Sequence, residues 1–210
     1  MISGLLIASG LSSRIKGFKP LLSYNEKSFL IIILEKILSV TTNIVIVVGH
    51  NHSLILKELE KHFNDKAHEI KKGIWQITKN IEIVYNNNYQ KGMFTSLKIG
   101  IEQLKDSDWI LYHFVDQPSI PQKFYNEFIS LINSNVNWIQ PTNVERAGHP
   151  ILFDKYIILK VNDSDNSSNL RLITQGKTIK KQFWNCNYSQ ILEDIDTNED
   201  YEKLLSNEIR

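Results

Sequence analysis

The stretch Ile2-Ser-Gly-Leu-Leu-Ile-Ala-Ser-Gly-Leu-Ser-Ser-Arg14-Ile-Lys-Gly-Phe-Lys19 decides how the rest of this chain is read. Ile2 to Ala8 is a short, mostly apolar run of strand length, with no regular polar alternation. A strand of that kind is buried on both faces, as in parallel sheets covered by helices. The run then gives way abruptly to small residues and to cations at Arg14, Lys16 and Lys19.

The same pattern recurs downstream. Asn43 to Val48, Ile81 to Tyr85 and Trp109 to Val115 read as further buried strands. Between them, Phe29 to Ser39, Ser53 to Phe63 and Met93 to Leu104 carry apolar residues at helical spacing. This alternation predicts βαβ units and an α/β fold, a Rossmann-like three-layer sandwich with a mostly parallel central sheet. Pro121 is placed to start another helix, with Phe124, Phe128, Leu131 and Ile132 as its buried stripe. Beyond Asn133 the rhythm weakens. Trp138 to Gln140, Pro150 to Phe153 and Lys181 to Trp184 read as strands, and Asn169 to Thr174 as a short helix. Thr197 to Leu205 reads as a closing helix, with Thr197 as N-cap and Asp200 in the capping-box position. Asn64 to Lys79 is ambiguous between a helical extension and a surface insertion.

Composition narrows the function classes. The 210 residues suit one domain, 1–210, and 42% hydrophobic content is enough for a proper core. A net charge of +1 gives no general electrostatic grip on nucleic acid or an anionic membrane, so any phosphate binding must be local. The lone cysteine, Cys186, forms neither an intramolecular disulfide nor a cysteine-based zinc site, and with no signal peptide or membrane span legible the expected location is cytoplasmic.

Candidate chemistry starts in the loop after the first run. Small residues at Ala8, Ser9 and Gly10 let backbone N–H groups approach an anion, and Arg14 and Lys19, five residues apart, can straddle a polyphosphate. The loop has neither the Gly-Lys-Ser/Thr ending nor the glycine spacing of the two familiar phosphate loops. Asp116 sits at the carboxyl end of an apolar strand and suits magnesium, a hard cation that takes carboxylate and phosphate oxygens. Asp194-Ile-Asp196 puts two acids on one face of an extended segment, and Asp196 is the candidate second metal ligand. Each has a plainer reading: solvated cations, a turn-forming Asp before Gln-Pro, and acids that compensate a helix N-terminus.

Leu6-Ile-Ala-Ser-Gly-Leu-Ser-Ser-Arg14, followed by Lys19-Pro-Leu-Leu22, resembles the signature of the molybdopterin nucleotidyltransferase-like NTP-transferase family. Within it, the chain is most similar to the molybdenum cofactor cytidylyltransferases. Four blocks agree in order over nearly the whole chain: Asn86 to Leu97, Val115-Asp116-Gln-Pro118, Gly148-His-Pro150 and Asp194-Ile-Asp196-Thr197. Two departures stand out. Ser9 replaces an alanine or glycine, and Lys16 replaces a glycine, with Gly17 one step later.

The resemblance implies a nucleotide-diphospho-sugar-transferase-like fold. It also implies a magnesium-dependent enzyme that moves a nucleoside monophosphate, CMP from CTP foremost or the monophosphate of another NTP, onto a molybdopterin-type phosphate with release of pyrophosphate. Arg14, Lys19 and Asp116 are then catalytic, and Asp116 and Asp196 hold the metal. Ala8, Ser9, Gly10, Ser12, Ser13, Gly49, Asn86, Gly92 and Ser96 serve the nucleotide, and Gln117, Pro118, Gly148 and His149 the acceptor. His113, in an apolar strand, reads as a satisfied core residue. The implied partners include a molybdoenzyme or its chaperone in transient contact, but no nucleic acid and no membrane. Alternatives are a guanylyltransferase for the same cofactor, a sugar- or polyol-phosphate nucleotidyltransferase, and a non-catalytic cofactor-binding chaperone with the same fold.

Overall fold

The computed structural model describes residues 1–206. In chain order the first elements are strand β1 (Ile2–Ala8), strands β2 (Ser23–Tyr24) and β3 (Lys27–Ser28), helix α1 (Phe29–Leu38), β4 (Asn43–Val48) and α2 (His52–Phe63). Then come β5 (His68–Lys71), β6 (Ile74–Thr78), β7 (Ile81–Tyr85), α3 (Met93–Gln103), β8 (Trp109–Phe114) and α4 (Gln122–Ser130). The last third holds β9 (Trp138–Asn143), β10 (Arg146–Ala147), β11 (Ile151–Asp154), α5 (Lys155–Asp163), α6 (Leu170–Ile173), β12 (Lys181–Asn185) and α7 (Asn198–Ser206).

The large sheet runs in the order β10, β9, β11, β8, β1, β4, β7, β6, β5, with β12 also on β9. Its centre is parallel, β8–β1–β4–β7, and antiparallel strands extend it on both sides. The chain builds outward from β1 through β4 and β7, then returns to place β8 on the other side. β1 is therefore the topological switch point, and open α/β sheets bind ligands beyond the carboxyl ends of the strands at such a point.

The central strands feed two cores by simple alternation. Leu6, Ala8, Ile44, Ile46 and Val48 pack with α1, α2 and α4, whereas Leu5, Ile7, Val45 and Val47 pack with α3 and α5. The result is the three-layer α/β arrangement expected, with a mixed, mostly parallel sheet. Glycines permit the tight approach of the layers. A Cβ on Gly100 of α3 would lie 2.4 Å from Leu5 Cδ1 and 2.8 Å from Val47 Cγ2.

Capping follows the local rules. Ser28 caps α1, its Oγ accepting from the Ile31 N–H, and Asp154 caps α5 by accepting from the Tyr156 and Ile157 N–H groups. The capping box forms at α7: Asp200 N–H donates to Thr197 Oγ1, and Asp200 Oδ2 accepts from Thr197 N–H at 2.8 Å. Pro121 is the extended residue before α4 rather than its first helical residue.

Two regions differ from the sequence reading. Within Asn64 to Lys79, neither alternative of a helical extension nor a plain insertion describes the outcome, since β5 and β6 form an antiparallel hairpin on the sheet edge. Gly73, at φ +75°, makes its turn. Helix α5 has no counterpart in the sequence reading. Its buried Ile157, Ile158 and Val161 form a short stripe that merges with the preceding strand in a one-dimensional reading.

Replacing Gly100 by Ala tests the layer spacing. Helix propensity favours the change by about 1 kcal/mol, but overpacking against two fully buried side chains costs about 1 to 3 kcal/mol. The expected outcome is a lower urea midpoint with an unchanged slope.

Candidate functional site

β1 and β8 are neighbours, with Ile7 paired to Phe114, so the loop after Ala8 and the turn carrying Asp116 leave the sheet side by side. The loop is anchored by Ile15, 6% exposed. Ser12 adopts φ 54° and its Oγ accepts from the Lys19 N–H at 3.0 Å, which closes the loop on itself. Gly17 has φ +95°, a conformation that L side chains rarely adopt. The loop's left-handed glycine therefore stands at position 17 here, and Lys16 occupies ordinary backbone while donating its N–H to Asn198 Oδ1 at 2.8 Å.

These segments enclose a pocket of about 320 Å³ lined by Ser9, Gly10, Ser12, Ser13, Arg14, Lys19, Asp116 and Asp196, with Tyr89, Met93 and Phe114 as apolar walls. Within it, charges are already paired. Lys19 Nζ lies 2.6 Å from Asp196 Oδ1 and 3.9 Å from Asp116 Oδ2, and Arg14 Nη2 lies 2.7 Å from Asp196 Oδ2. The Lys19 hydrogen bond, more than any other contact, holds the Asp196 carboxyl below the usual range.

Asp116 is the opposite case. Its side chain is 22% exposed, yet Oδ1 is fully buried with no hydrogen-bond partner. Burial, reinforced by the charges of Asp194 and Asp196 and opposed by Lys19, pushes its carboxyl up to about 7. Asp194 is also raised, by burial first and then by Asp196. An orphaned carboxylate oxygen among acids is short of positive charge, and an all-oxygen donor set suits a hard divalent cation. Among the described residues, no group of three or more His, Cys, Asp or Glu side chains could hold a metal alone. Asp116 and Asp196, which line the same pocket, are the carboxylates that could share such a cation with phosphate oxygens.

Several sequence candidates lie behind the wall rather than on it. Asn86, 2% exposed, spends its amide on Thr95 Oγ1 and Ser96 Oγ, and Ser96 Oγ lies 2.8 Å from Ser9 Oγ. This buried chain fixes the floor beneath the loop, and it explains how serine is accommodated at position 9. Gly49 admits the Tyr89 ring, since a Cβ there would lie 2.7 Å from Tyr89 Cγ. Ala8 is buried in the core cluster. Gln117 is buried and donates to Ile191 O and Asp194 Oδ1, and Pro118 offers its carbonyl to Lys36. Gly148 lies tight against Ile191, where a Cβ would be 2.3 Å from the carbonyl oxygen.

Gly92 and His149 line a second pocket of about 590 Å³ that shares Met93 and Phe114 with the first. Its floor is aromatic, from Phe94, Tyr112 and Trp138, and its rim carries Lys91, Arg171 and Lys181. Lys181 Nζ sits 5.5 Å from the Trp138 ring centroid. His149 packs edge-on to Phe114 at 4.7 Å, with its Nδ1 buried and unpartnered. Burial lowers it to about 4, so the ring is neutral. Sequence reasoning missed this pocket's cations and aromatics, because they come from separate elements with no shared motif. His113 is a satisfied core residue, as expected, at 2.8 Å from Tyr125 OH.

A cation-bearing loop thus stands beside a strand-end carboxylate at the switch point of this sheet, where open α/β sheets bind their ligands. The chain belongs to the MobA-like NTP transferase domain family, whose profile matches residues 4–180. It is 25% identical over 201 residues to the molybdenum cofactor cytidylyltransferase of Escherichia coli (strain K12), covering 95% of this chain and 93% of that one. Among solved structures, a 4-diphosphocytidyl-2C-methyl-D-erythritol synthase from Anaerococcus prevotii shares the fold with a TM-score of 0.75 at 18% identity, covering 100% and 96% of the two chains. A Mycobacterium tuberculosis protein solved in complex with manganese does so with a TM-score of 0.70 at 16% identity, covering 98% of each. Among the described residues, no helix is long and apolar enough to cross a membrane.

The Asp116 environment sets a stability trade-off. Its folded pKa of about 7 lies above the ordinary 3.8, so the folded protein holds a proton that the unfolded chain has released. The stability this gives is complete below about pH 4 and is lost as pH rises through 7. Ligand-free Asp116→Asn should therefore melt above the parent at pH 8, with the gap closing toward pH 5, in paired thermal melts.

Proposed function

We propose that this chain transfers CMP from CTP to the phosphate of a molybdopterin-type acceptor, with magnesium as the accompanying cation and the cytoplasm as its location. The observation that carries the reading is the shared wall of Met93 and Phe114. It sets a pocket of cations and carboxylates against a larger aromatic pocket with a basic rim. The cytidine choice is supported by the name of the Escherichia coli relative.

In this reading the acceptor phosphate attacks the α-phosphorus from the aromatic pocket. The new oxygen–phosphorus bond forms in line as the bond to the β-phosphate oxygen breaks, and pyrophosphate leaves. A phosphomonoester carries about −1.5 to −2 charges near neutrality, so no general base is needed. The main obstacle is repulsion between anions, and catalysis is positioning plus charge stabilisation.

Arg14 and Lys19 already face into the first pocket. When the triphosphate enters, their N–H groups leave Asp196 for phosphate oxygens, and Lys19 stays with the leaving pyrophosphate. Asp196, freed of these cations, would be the carboxylate that holds a divalent cation together with Asp116. A divalent cation bound there supplies charge neutralisation on the phosphates. The loop N–H groups around Gly10 approach the phosphates where a Cβ would meet nothing within 4 Å. The neutral His149 and the basic rim orient the acceptor, whose flat heterocycle lies over the apolar floor, and 590 Å³ is within the usual range for such ligands.

A thermal-shift panel with CTP, GTP, ATP and UTP, with and without magnesium, tests the nucleotide. A ligand at about 100 times its Kd adds about 2.7 kcal/mol, and a magnesium-dependent shift with CTP alone is expected; one with GTP alone moves the reading to a guanylyltransferase. Folded Arg14→Ala and Asp116→Ala variants should release pyrophosphate about 100-fold more slowly or worse. Parent-like rates in both would sink the assignment. Arg171→Gln should raise the acceptor KM while leaving CTP affinity unchanged, as read by steady-state kinetics and calorimetry.

A further inference from the structure

The turn after Asp116 is tied down on two sides. Toward the chain's end, Ile195 N–H donates to Asp116 O at 2.9 Å, and the Gln117 amide reaches Ile191 O and Asp194 Oδ1. Toward α1, one side chain among the described residues ties its carbonyls. Lys36, in the last turn of α1, donates its Nζ to Pro118 O and Ile120 O, each at 2.7 Å. Pro118 and Pro121 remove two backbone donors from this turn, so its carbonyls take a partner from another element.

The ammonium is held where burial disfavours it, and its pKa falls to about 8 despite the neighbouring Glu35. The strand behind it offers no counter-charge. His113 is fully buried, its pKa lowered to about 3, and so it is neutral. Its Nδ1 lies 2.6 Å from Phe114 O, a pure acceptor, so Nδ1 carries the proton and Nε2 accepts from Tyr125 OH at 2.8 Å. The ammonium thus faces two carbonyls and a neutral histidine. What distinguishes it is the pair of hydrogen bonds it donates.

We propose that Lys36 is a positioning residue: by clamping the carbonyls of Pro118 and Ile120 it fixes the turn that aims Asp116 into the nucleotide pocket, and thereby sets affinity for the divalent cation. The inference rests on the nucleotidyl-transfer reading for its cation, but the clamp itself is measurable without one. Groups that orient metal ligands from behind typically govern about 10- to 100-fold in affinity, and a clamp one step further back is expected at the lower end of that range.

The test uses Lys36→Met, which keeps the aliphatic stem and removes the donors, and Lys36→Gln, which keeps a shorter amide donor. Manganese affinity at saturating CTP is read by electron paramagnetic resonance, and CTP affinity without metal by calorimetry. Amide exchange at Gln117, Ser119 and Ile120 is read in the ligand-free protein. Lys36→Met is expected to weaken manganese by about tenfold, leave metal-free CTP binding unchanged and speed exchange at all three amides, with Lys36→Gln intermediate. Unchanged manganese affinity, or an equal fall in both affinities, overturns the proposal, because a general packing defect moves both together. Should Lys36→Met not fold, Lys36→Gln carries the same outcomes. If the parent itself binds no CTP with manganese, the nucleotidyl-transfer reading fails instead, and unchanged exchange in the variant still overturns the clamp.

Discussion

The site depends on β1 being enclosed on every side. It pairs in parallel with β4 and β8 and is covered by helices on both faces, so its carboxyl end is a firmly held edge that opens into the pocket. Two loops leave that edge in the same direction, one bringing cations and the other Asp116. Their roots are adjacent strands, and Lys19, well beyond the end of β1, is then placed by the loop's own anchors, the buried Ile15 and the bond from its N–H to Ser12 Oγ. Gly100 and Gly49 serve the same end, by letting α3 seat against the sheet and by letting Tyr89 close over the strand end.

Electrostatics then makes the ligand-free site poised rather than relaxed. Three carboxylates, Asp116, Asp194 and Asp196, meet two cations; Asp196 pairs closely with both, and Asp116 has only the longer 3.9 Å contact of its Oδ2 with Lys19. Asp116 is left with a buried, unpaired oxygen. An arrangement of this kind costs stability in the empty protein, and incoming positive charge offsets the cost. Functional sites commonly carry such local penalties, which the rest of the fold sustains.

The central strands, α1 to α4 and the α7 capping box were legible in the sequence because each rests on local pattern: apolar runs, helical spacing and cap residues. Arg14, Lys19, Asp116 and Asp196 were legible as motif positions, and the structure gathers all four around one pocket. Other candidates were placed correctly in the chain but not in space. Asn86 and Gln117 have polar side chains at motif positions, yet their hydrogen bonds are consumed inside the protein. The hairpin of β5 and β6 was not legible, since its alternation is short, its first strand is exposed and its partner is a sheet edge. The second pocket was invisible because Phe94, Trp138, Arg171 and Lys181 meet only after distant elements pack.

By itself, the sequence determined the central strands, helices α1 to α4, the parallel centre of the sheet and the identity of the charged groups, because period, caps and loop chemistry act over a few neighbouring residues. Only the tertiary structure decided which of those groups share a pocket, which carboxylate is paired and which is stranded, and that Lys36 reaches the Asp116 turn from a helix more than 80 positions away. Hydrogen bonding, desolvation and Coulomb forces act through a few ångströms of space whatever the separation along the chain, so they exist only once the layers have closed.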